Sequence, residues 1–209
     1  NMITIDGQKM GKSLGNFITL EEFFTGSHKL LQQAYSPMTI RFFILQAHYR
    51  STVDFSNEAL QAAEKGLKKL FAGYETLKKM MPAGDFPPQE EGRIGAIRKD
   101  CYAAMNDDFN SPIVIANLFE CVRIINSAAD KKEMVSPSEL VQMKEIFDAF
   151  LFDILGLKDD KISDNHELLD GLMELILSIR QKSRENKDWG TSDQIRDTLQ
   201  KLKISIKDG

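Results

Sequence analysis

Cysteine is scarce in this sequence of 209 residues. Only Cys101 and Cys121 occur, and they form no Cys-x-x-Cys pair. That excludes a disulfide framework and suits a reducing cytoplasm. Histidine is nearly as rare. His28, His48 and His166 are scattered, with no metal-ligand spacing to either cysteine, so no metal site is expected in this chain. No signal peptide is apparent and no apolar run approaches about 18 residues, so no membrane partner is expected. Positive charge is also lacking in bulk. The net charge is -4, so any RNA contact must come from local basic faces, where Lys and Arg can follow phosphates. What remains is an ordinary globular composition, 42% hydrophobic and 28% charged, with ample material for a core.

The pattern along the chain is mostly helical. Met2-Ile3-Thr4-Ile5 followed by Asp6-Gly7 predicts a hairpin. Thr19-Leu20-Glu21-Glu22 is a capping box opening a short helix, and Ser36-Pro37 opens a second. From Ser56 a stripe of Leu60, Ala63, Leu67, Leu70, Tyr74, Leu77 and Met81 predicts one long helix, which Pro82, Gly84, Pro87 and Pro88 end in a loop. Ile94, Ile97, Cys101 and Met105 mark the next helix. Asp107-Asp108-Phe109-Asn110-Ser111-Pro112 reads as a break and a new cap, before a helix carrying Ile115, Leu118, Phe119, Val122 and Ile125. Ser136-Pro137-Ser138-Glu139 caps a helix ending near Gly156. Leu157 to Asn165 reads as a polar linker. Two helices follow, the second capped by Thr191, and Ile204-Ser205-Ile206 reads as a strand.

The chemistry concentrates in Lys9-Met10-Gly11-Lys12-Ser13, just after the hairpin turn. Two ammonium groups on one loop can reach a polyphosphate. Displacement at the α-phosphorus of ATP builds charge on the transferring centre and on the departing pyrophosphate, and lysines that meet this charge in the transition state accelerate the step. Gly11 and Gly15 give the loop freedom to close. Taken alone, five such residues also fit a solvated lysine-rich turn.

The longer run Lys-Met-Gly-Lys-Ser-Leu-Gly-Asn-Phe resembles the KMSKS-type signature of class I aminoacyl-tRNA synthetases. Three further stretches resemble the cysteine–tRNA ligases: Gln46-Ala47-His48-Tyr49-Arg50-Ser51, Met105 to Pro112, and Lys187-Asp188-Trp189 with Asp193 and Arg196. The resemblance covers essentially the whole chain. It implies activation of cysteine by ATP, with magnesium, and transfer to the cognate tRNA. It assigns Lys9, Lys12 and Ser13 to the catalytic loop, with Lys12 the main ATP contact. Gly11 departs from the usual serine, which implies a lost hydroxyl contact and a more mobile loop. The resemblance also places the Rossmann catalytic domain, with its zinc, before this loop and outside the chain. The expectation is therefore a C-terminal fragment, inactive by itself and monomeric, whose partners are cysteine tRNA and that catalytic domain.

The implied fold is mainly α: a DALR-like helical bundle, a small β-hairpin at the lysine loop and a small mixed α/β C-terminal segment. The expected domains are 1–55 (lysine loop and stem-contact region), 56–156 (bundle) and 157–209 (anticodon-binding segment). In the last, Arg180, Arg184 and Lys187 share a helix face that could follow phosphates or be simply solvated. The resemblance matches Arg184, Trp189, Asp193, Arg196 and Asp208 to anticodon-contacting positions. An aromatic ring can stack on an unpaired base while a carboxylate accepts from guanine N1–H and its amino group. The competing reading makes Trp189 a core plug and Asp193–Arg196 an intrahelical pair. Two other classes compete: a ligase joining cysteine to an amino-sugar, which has no use for a base-reading segment, and a helical interaction module, which has no use for a nucleotide-closing loop.

Overall fold

A computed structural model describes residues 3–81 and 92–202, with the side chains of 160–170, 200 and 201 excepted. The proline-rich loop from Pro82, the strand expected at Ile204-Ser205-Ile206, and Asp208 lie outside the described residues. The chain forms two compact units, Asn1–Asp159 and Asp160–Gly209.

The first unit opens with the expected hairpin. β1 (Ile3–Ile5) pairs antiparallel with β2 (Gln8–Lys9). Asp6 and Gly7 both take positive φ, 48° and 76°, as the primed hairpin turns require. A third strand was not expected: β3 (Val53–Phe55) lies parallel to β1, giving the order β2-β1-β3. Three residues are too few for an alternation signal, and the partner is about fifty residues away. Asp54 fastens this sheet. Its Oδ1 accepts from the Thr4 hydroxyl at 2.6 Å and the Gly7 amide at 2.9 Å.

Those two donors hold the Asp54 carboxyl below its usual value. A depressed folded value stabilises the native state above the ordinary carboxylate range, and the gain is lost as pH falls through the folded value. Asp54→Asn should therefore melt below the parent near neutral pH. The gap should close under acid conditions, as read by thermal melts across pH.

α1 (Leu20–Thr25) starts at the predicted capping box: the Glu22 amide donates to Thr19 Oγ1 at 3.2 Å, and the Thr19 amide donates to Glu22 Oε2 at 2.8 Å. α2 (Pro37–Leu45) has Ser36 as its cap, accepting from the Thr39 amide. The sheet and these helices bury a small core of Ile5, Ile18, Phe23, Tyr35, Ile40, Phe55 and Leu60. Phe55 stands between Phe23 and Phe43, with ring centroids 5.1 and 4.8 Å away.

The larger core belongs to a helical bundle. α3 (Asn57–Lys79) buries Leu60, Ala63, Leu67, Leu70 and Leu77 of the predicted stripe and half-buries Tyr74; it stops two residues short of Met81, which is exposed. α4 (Arg93–Asn106) and α5 (Ser111–Ala129) bury Cys101 and Cys121, and burial pushes the thiols up to about 11 and about 12. At neutral pH neither is a nucleophile. Against the expectation of no such run, α5 is apolar and long enough to cross a bilayer. Its Val114, Leu118, Cys121 and Ile125 are buried in the bundle, which is the pattern of a core helix. α6 (Pro137–Ile146) begins at the Ser136–Glu139 capping box. It runs on as a π-helical stretch, Phe147–Ile154. The wider turn presents Phe147, Phe150 and Leu151 to the core, all at 0% exposure. Gly156, at φ 62°, ends it. A Cβ there would lie 2.8 Å from the Arg41 guanidinium, whose Nε donates to the Leu155 carbonyl.

The second unit contains α7 (Asp160–Glu185) and α8 (Trp189–Lys201). α7 overturns the expected linker from Leu157 to Asn165. Helix begins at Asp160, and a helical turn poor in apolar residues leaves no hydrophobic period to detect. The cap of α8 also differs. Lys187 turns left-handed at φ 59°, and Asp188 Oδ1 accepts from the Thr191 amide at 3.1 Å. Asp188, not Thr191, closes the helix start, and the Thr191 hydroxyl together with the Thr191 amide holds its carboxyl below the usual value.

Candidate lysine-loop site and nucleic-acid interface

The lysine loop leaves the sheet at β2 and is held by one side chain. The Gly11 amide donates to Asn16 Oδ1 at 2.9 Å, while Asn16 Nδ2 donates to the Lys9 carbonyl at 3.1 Å. Asn16 is buried, and the Met10 amide reaches back to the Ile3 carbonyl. Between these anchors Lys12–Leu14 forms a single 3-10 turn, closed by Gly15 at φ 67°. Lys9, Lys12 and Ser13 are all exposed, and Lys12 Nζ sits 5.4 Å from the centroid of the Phe17 ring. The clasp by Asn16 had no signal in residue spacing beyond the trailing Leu-Gly-Asn itself.

Gly11 needs no special backbone here. Its backbone is extended (φ -164°), a conformation open to any residue, and its amide is anchored. A Cβ there would meet only the Leu14 side chain, at 3.9 Å. The Gly11 amide thus anchors the loop here, and a serine would fit without displacing its neighbours.

Two separated signature stretches meet in space. Asp108 accepts from the Tyr49 hydroxyl at 2.6 Å and pairs with Arg50 at 2.8 Å, with His48 Nε2 at 3.8 Å. Arg50 Nε also donates to the Tyr49 oxygen, and these partners keep its guanidinium more firmly protonated. The Ser111 hydroxyl donates to the Leu45 carbonyl at 2.8 Å. Asp108 and the neighbouring Phe109 hold positive φ, 58° and 54°, at a cost of about 1 kcal/mol or more each. The sequence suggested that Asp107-Asp108-Phe109-Asn110 caps the next helix. Instead Asn110 makes no side-chain cap bond, and Asp108 reaches a segment 59 residues away. A chain-local reading could not see that partner.

In the second unit Arg184, Lys187, Trp189, Asp193 and Arg196 are exposed. Trp189 is 59% exposed, which removes the core-plug reading. The intrahelical pair does form: Arg196 Nη1 lies 3.1 Å from Asp193 Oδ1, and Nη2 lies 3.2 Å from Asp197. Arg180 corrects the proposed basic face. It is buried at 9% exposure, so Arg184 and Lys187 are the members of that trio open to a ligand. A spacing of four, then three, places three residues on one side of a helix but does not say which edge its neighbour covers. Among the described residues no group of three His, Cys, Asp or Glu is placed to hold a metal ion.

Two family models match the chain. The catalytic domain of class I (C) tRNA synthetases matches residues 1–65, and the DALR domain matches residues 101–158. Among curated relatives, the cysteine–tRNA ligase of Parabacteroides distasonis is 59% identical across all of this chain and 42% of its own length. That of Bacteroides thetaiotaomicron is 58% identical with the same coverage. The ligase of Chlorobaculum tepidum is 37% identical over all of this chain and 41% of its own. The chain thus spans about two fifths of the length of the curated relatives it matches. Over its whole length the chain is similar to cysteine–tRNA ligases, with a match to the class I (C) synthetase catalytic domain at the lysine loop and a match to the DALR domain in the helical bundle.

Proposed function

We propose that this chain works as part of a cysteine–tRNA ligase, supplying one side of the ATP site and the surface that reads the tRNA anticodon. The observation that carries this reading is the lysine loop, where Asn16 clasps Lys9 and Gly11 and both ammonium groups are exposed, Lys9 at the end of β2 and Lys12 on the 3-10 turn that follows. In the first half-reaction a cysteine carboxylate oxygen bonds to the α-phosphorus of ATP, and the bond from that phosphorus to the bridging oxygen of pyrophosphate breaks. Lys12, from the turn, and Lys9, from the end of β2, donate N–H groups to the charge that gathers on the leaving pyrophosphate. Ser13 offers a hydroxyl beside them. Because these contacts strengthen as charge develops, they raise the rate rather than merely the affinity. The remainder of the cysteine and ATP site falls to the longer span of the relatives. The zinc expected for the family finds no matching donor set among the described residues, and no step here runs through it.

For the tRNA, the exposed Trp189 supports base stacking, and Asp193 one turn on supports recognition of a guanine edge. A bound base would exchange the solvent-exposed Asp193–Arg196 pair, which is weak, for contacts to N1–H and the amino group. Arg184 and Arg196 contribute charge for the backbone, and Asp208 is proposed to belong to the same surface. Partner tRNA, a cytoplasmic setting and the three-part division at 55/56 and 156/157 belong to this same reading.

The test uses the full-length protein. Cysteine-dependent exchange between ATP and pyrophosphate is expected, and a gel shift at fixed salt should favour cysteine tRNA over one with a changed anticodon. Asp193→Ala should weaken aminoacylation by roughly 10-fold or more, as expected for loss of one base-edge contact, while sparing adenylate formation. Equal loss in both half-reactions would count against the anticodon assignment. An amino-sugar ligase would show the exchange without any anticodon preference.

A further inference from the structure

We infer that Asp108 is a positioning residue for the lysine loop: it fixes the strand on which that loop's hairpin is built. This rests on the adenylate-forming reading of the loop given above.

The connection can be followed bond by bond. Asp108 lies in the segment matched by the DALR model, and its carboxylate holds Tyr49 and Arg50, in the segment matched by the synthetase model. Ser111, from the same turn, holds the Leu45 carbonyl at the end of α2. The chain from Leu45 to Arg50 is therefore gripped at both ends by one turn. Three residues after Arg50 the chain enters β3. β3 carries Asp54, whose carboxylate takes both the Thr4 hydroxyl and the Gly7 amide, and pairs along β1 in the register Ile3↔Val53, Thr4↔Asp54, Ile5↔Phe55. β1 in turn anchors Met10 through the Ile3 carbonyl, one residue before Gly11, which meets Asn16. Every link is a short hydrogen bond or a few covalent residues.

The backbone points the same way. Two consecutive non-glycine residues, Asp108 and Phe109, are held left-handed. The left-handed pair closes the end of α4, where the Phe109 and Asn110 amides reach the Met105 and Ala104 carbonyls. Here it carries the Asp108 carboxylate away from its own helix ends and out to Tyr49. Phe109 is left 70% exposed. Strain of this kind persists where surrounding contacts over-determine it. Those contacts are the Phe109 amide to the Met105 carbonyl, the Asn110 amide to the Ala104 carbonyl, and the Asp108 cluster itself.

The experiment removes the grip without touching the left-handed turn. In the full-length enzyme, Tyr49→Phe combined with Arg50→Gln deletes both strong partners of Asp108. Amide hydrogen exchange at Gly7, Met10 and Gly11 should quicken by about fivefold or more, while Leu118 and Val122 in α5 keep their parent rates. In the same variant kcat for cysteine-dependent adenylate formation should fall about tenfold, with KM for cysteine unchanged, because a displaced loop costs rate more than binding. Asp108→Asn, which keeps an acceptor for the Tyr49 hydroxyl and tolerates the left-handed backbone, should retain most of both readouts. Unchanged exchange at Gly7, Met10 and Gly11 overturns the inference, and so does faster exchange there with parental kcat. A wild-type protein without pyrophosphate exchange would instead overturn the proposed reaction, and the hydrogen-exchange comparison would still decide whether Asp108 holds the loop.

Discussion

Under the proposed function, Lys12→Ala in the full-length protein is expected to lower cysteine-dependent adenylate formation by about 10²- to 10³-fold, the scale on which removal of one pre-placed transition-state donor is felt. Two features single out Lys12. It begins the exposed 3-10 turn, whereas Lys9 is committed through its backbone to the β1–β2 ladder and through its carbonyl to Asn16. Its ammonium also rests over the Phe17 ring, a contact that uses none of its N–H donors and leaves all three for phosphate oxygens. Since the pyrophosphate charge builds during bond breaking, the loss should fall on kcat, with the KM for cysteine little altered. Single-turnover adenylate formation measures this. A variant defective only in ATP KM would show that Lys12 binds ground-state nucleotide and nothing more. Unfolding midpoints should match the parent, because Lys12 is exposed and its removal empties no cavity.

The second large effect lies in the bundle. Phe150→Ala should cost about 3–5 kcal/mol of stability, the range for truncating a buried phenylalanine. Phe150 has 0% exposure, lies in the π-helical stretch, and meets the edge of Tyr102 at 4.8 Å between centroids. The void would open inside the large buried cluster of the bundle, to which Phe150 belongs. Such an interior relaxes only partly around a missing ring. Urea unfolding followed by circular dichroism would report the loss as a lower midpoint with an unchanged slope. A change of under about 1 kcal/mol would mean that the stretch is loosely packed.

Much of this architecture was legible residue by residue. The turn at Asp6-Gly7, the capping boxes at Thr19 and Ser136, and the stripe from Leu60 to Leu77 are local chemistry, and each appears where the spacing puts it. Such features depend on neighbours within about four positions, which is the range a sequence pattern can report. The failures share one property. β3, the buried Arg180, the Asn16 clasp and the Asp108 cluster all depend on what a residue meets after the chain has turned back on itself. The cap at Asp188 was missed for a milder reason: two candidate oxygens lie three residues apart, and the left-handed Lys187 decides between them.

By itself, then, the sequence determined the helical class, the order of the helices, the lysine-bearing loop after the hairpin and the likeness to cysteine–tRNA ligases. Each of these follows from short-range spacing or from residue runs that resemble the family's. Only the tertiary structure decided that the Gly11 amide is anchored, that Trp189 faces solvent, that Arg180 does not, and that the turn at Asp108 grips the segment leading into the lysine-loop sheet. The physical reason is range. A hydrogen bond or a burial is settled by atoms within a few ångströms, and for Asp108 those atoms come from residues 59 positions away, brought together by packing against a core shared with neither stretch alone.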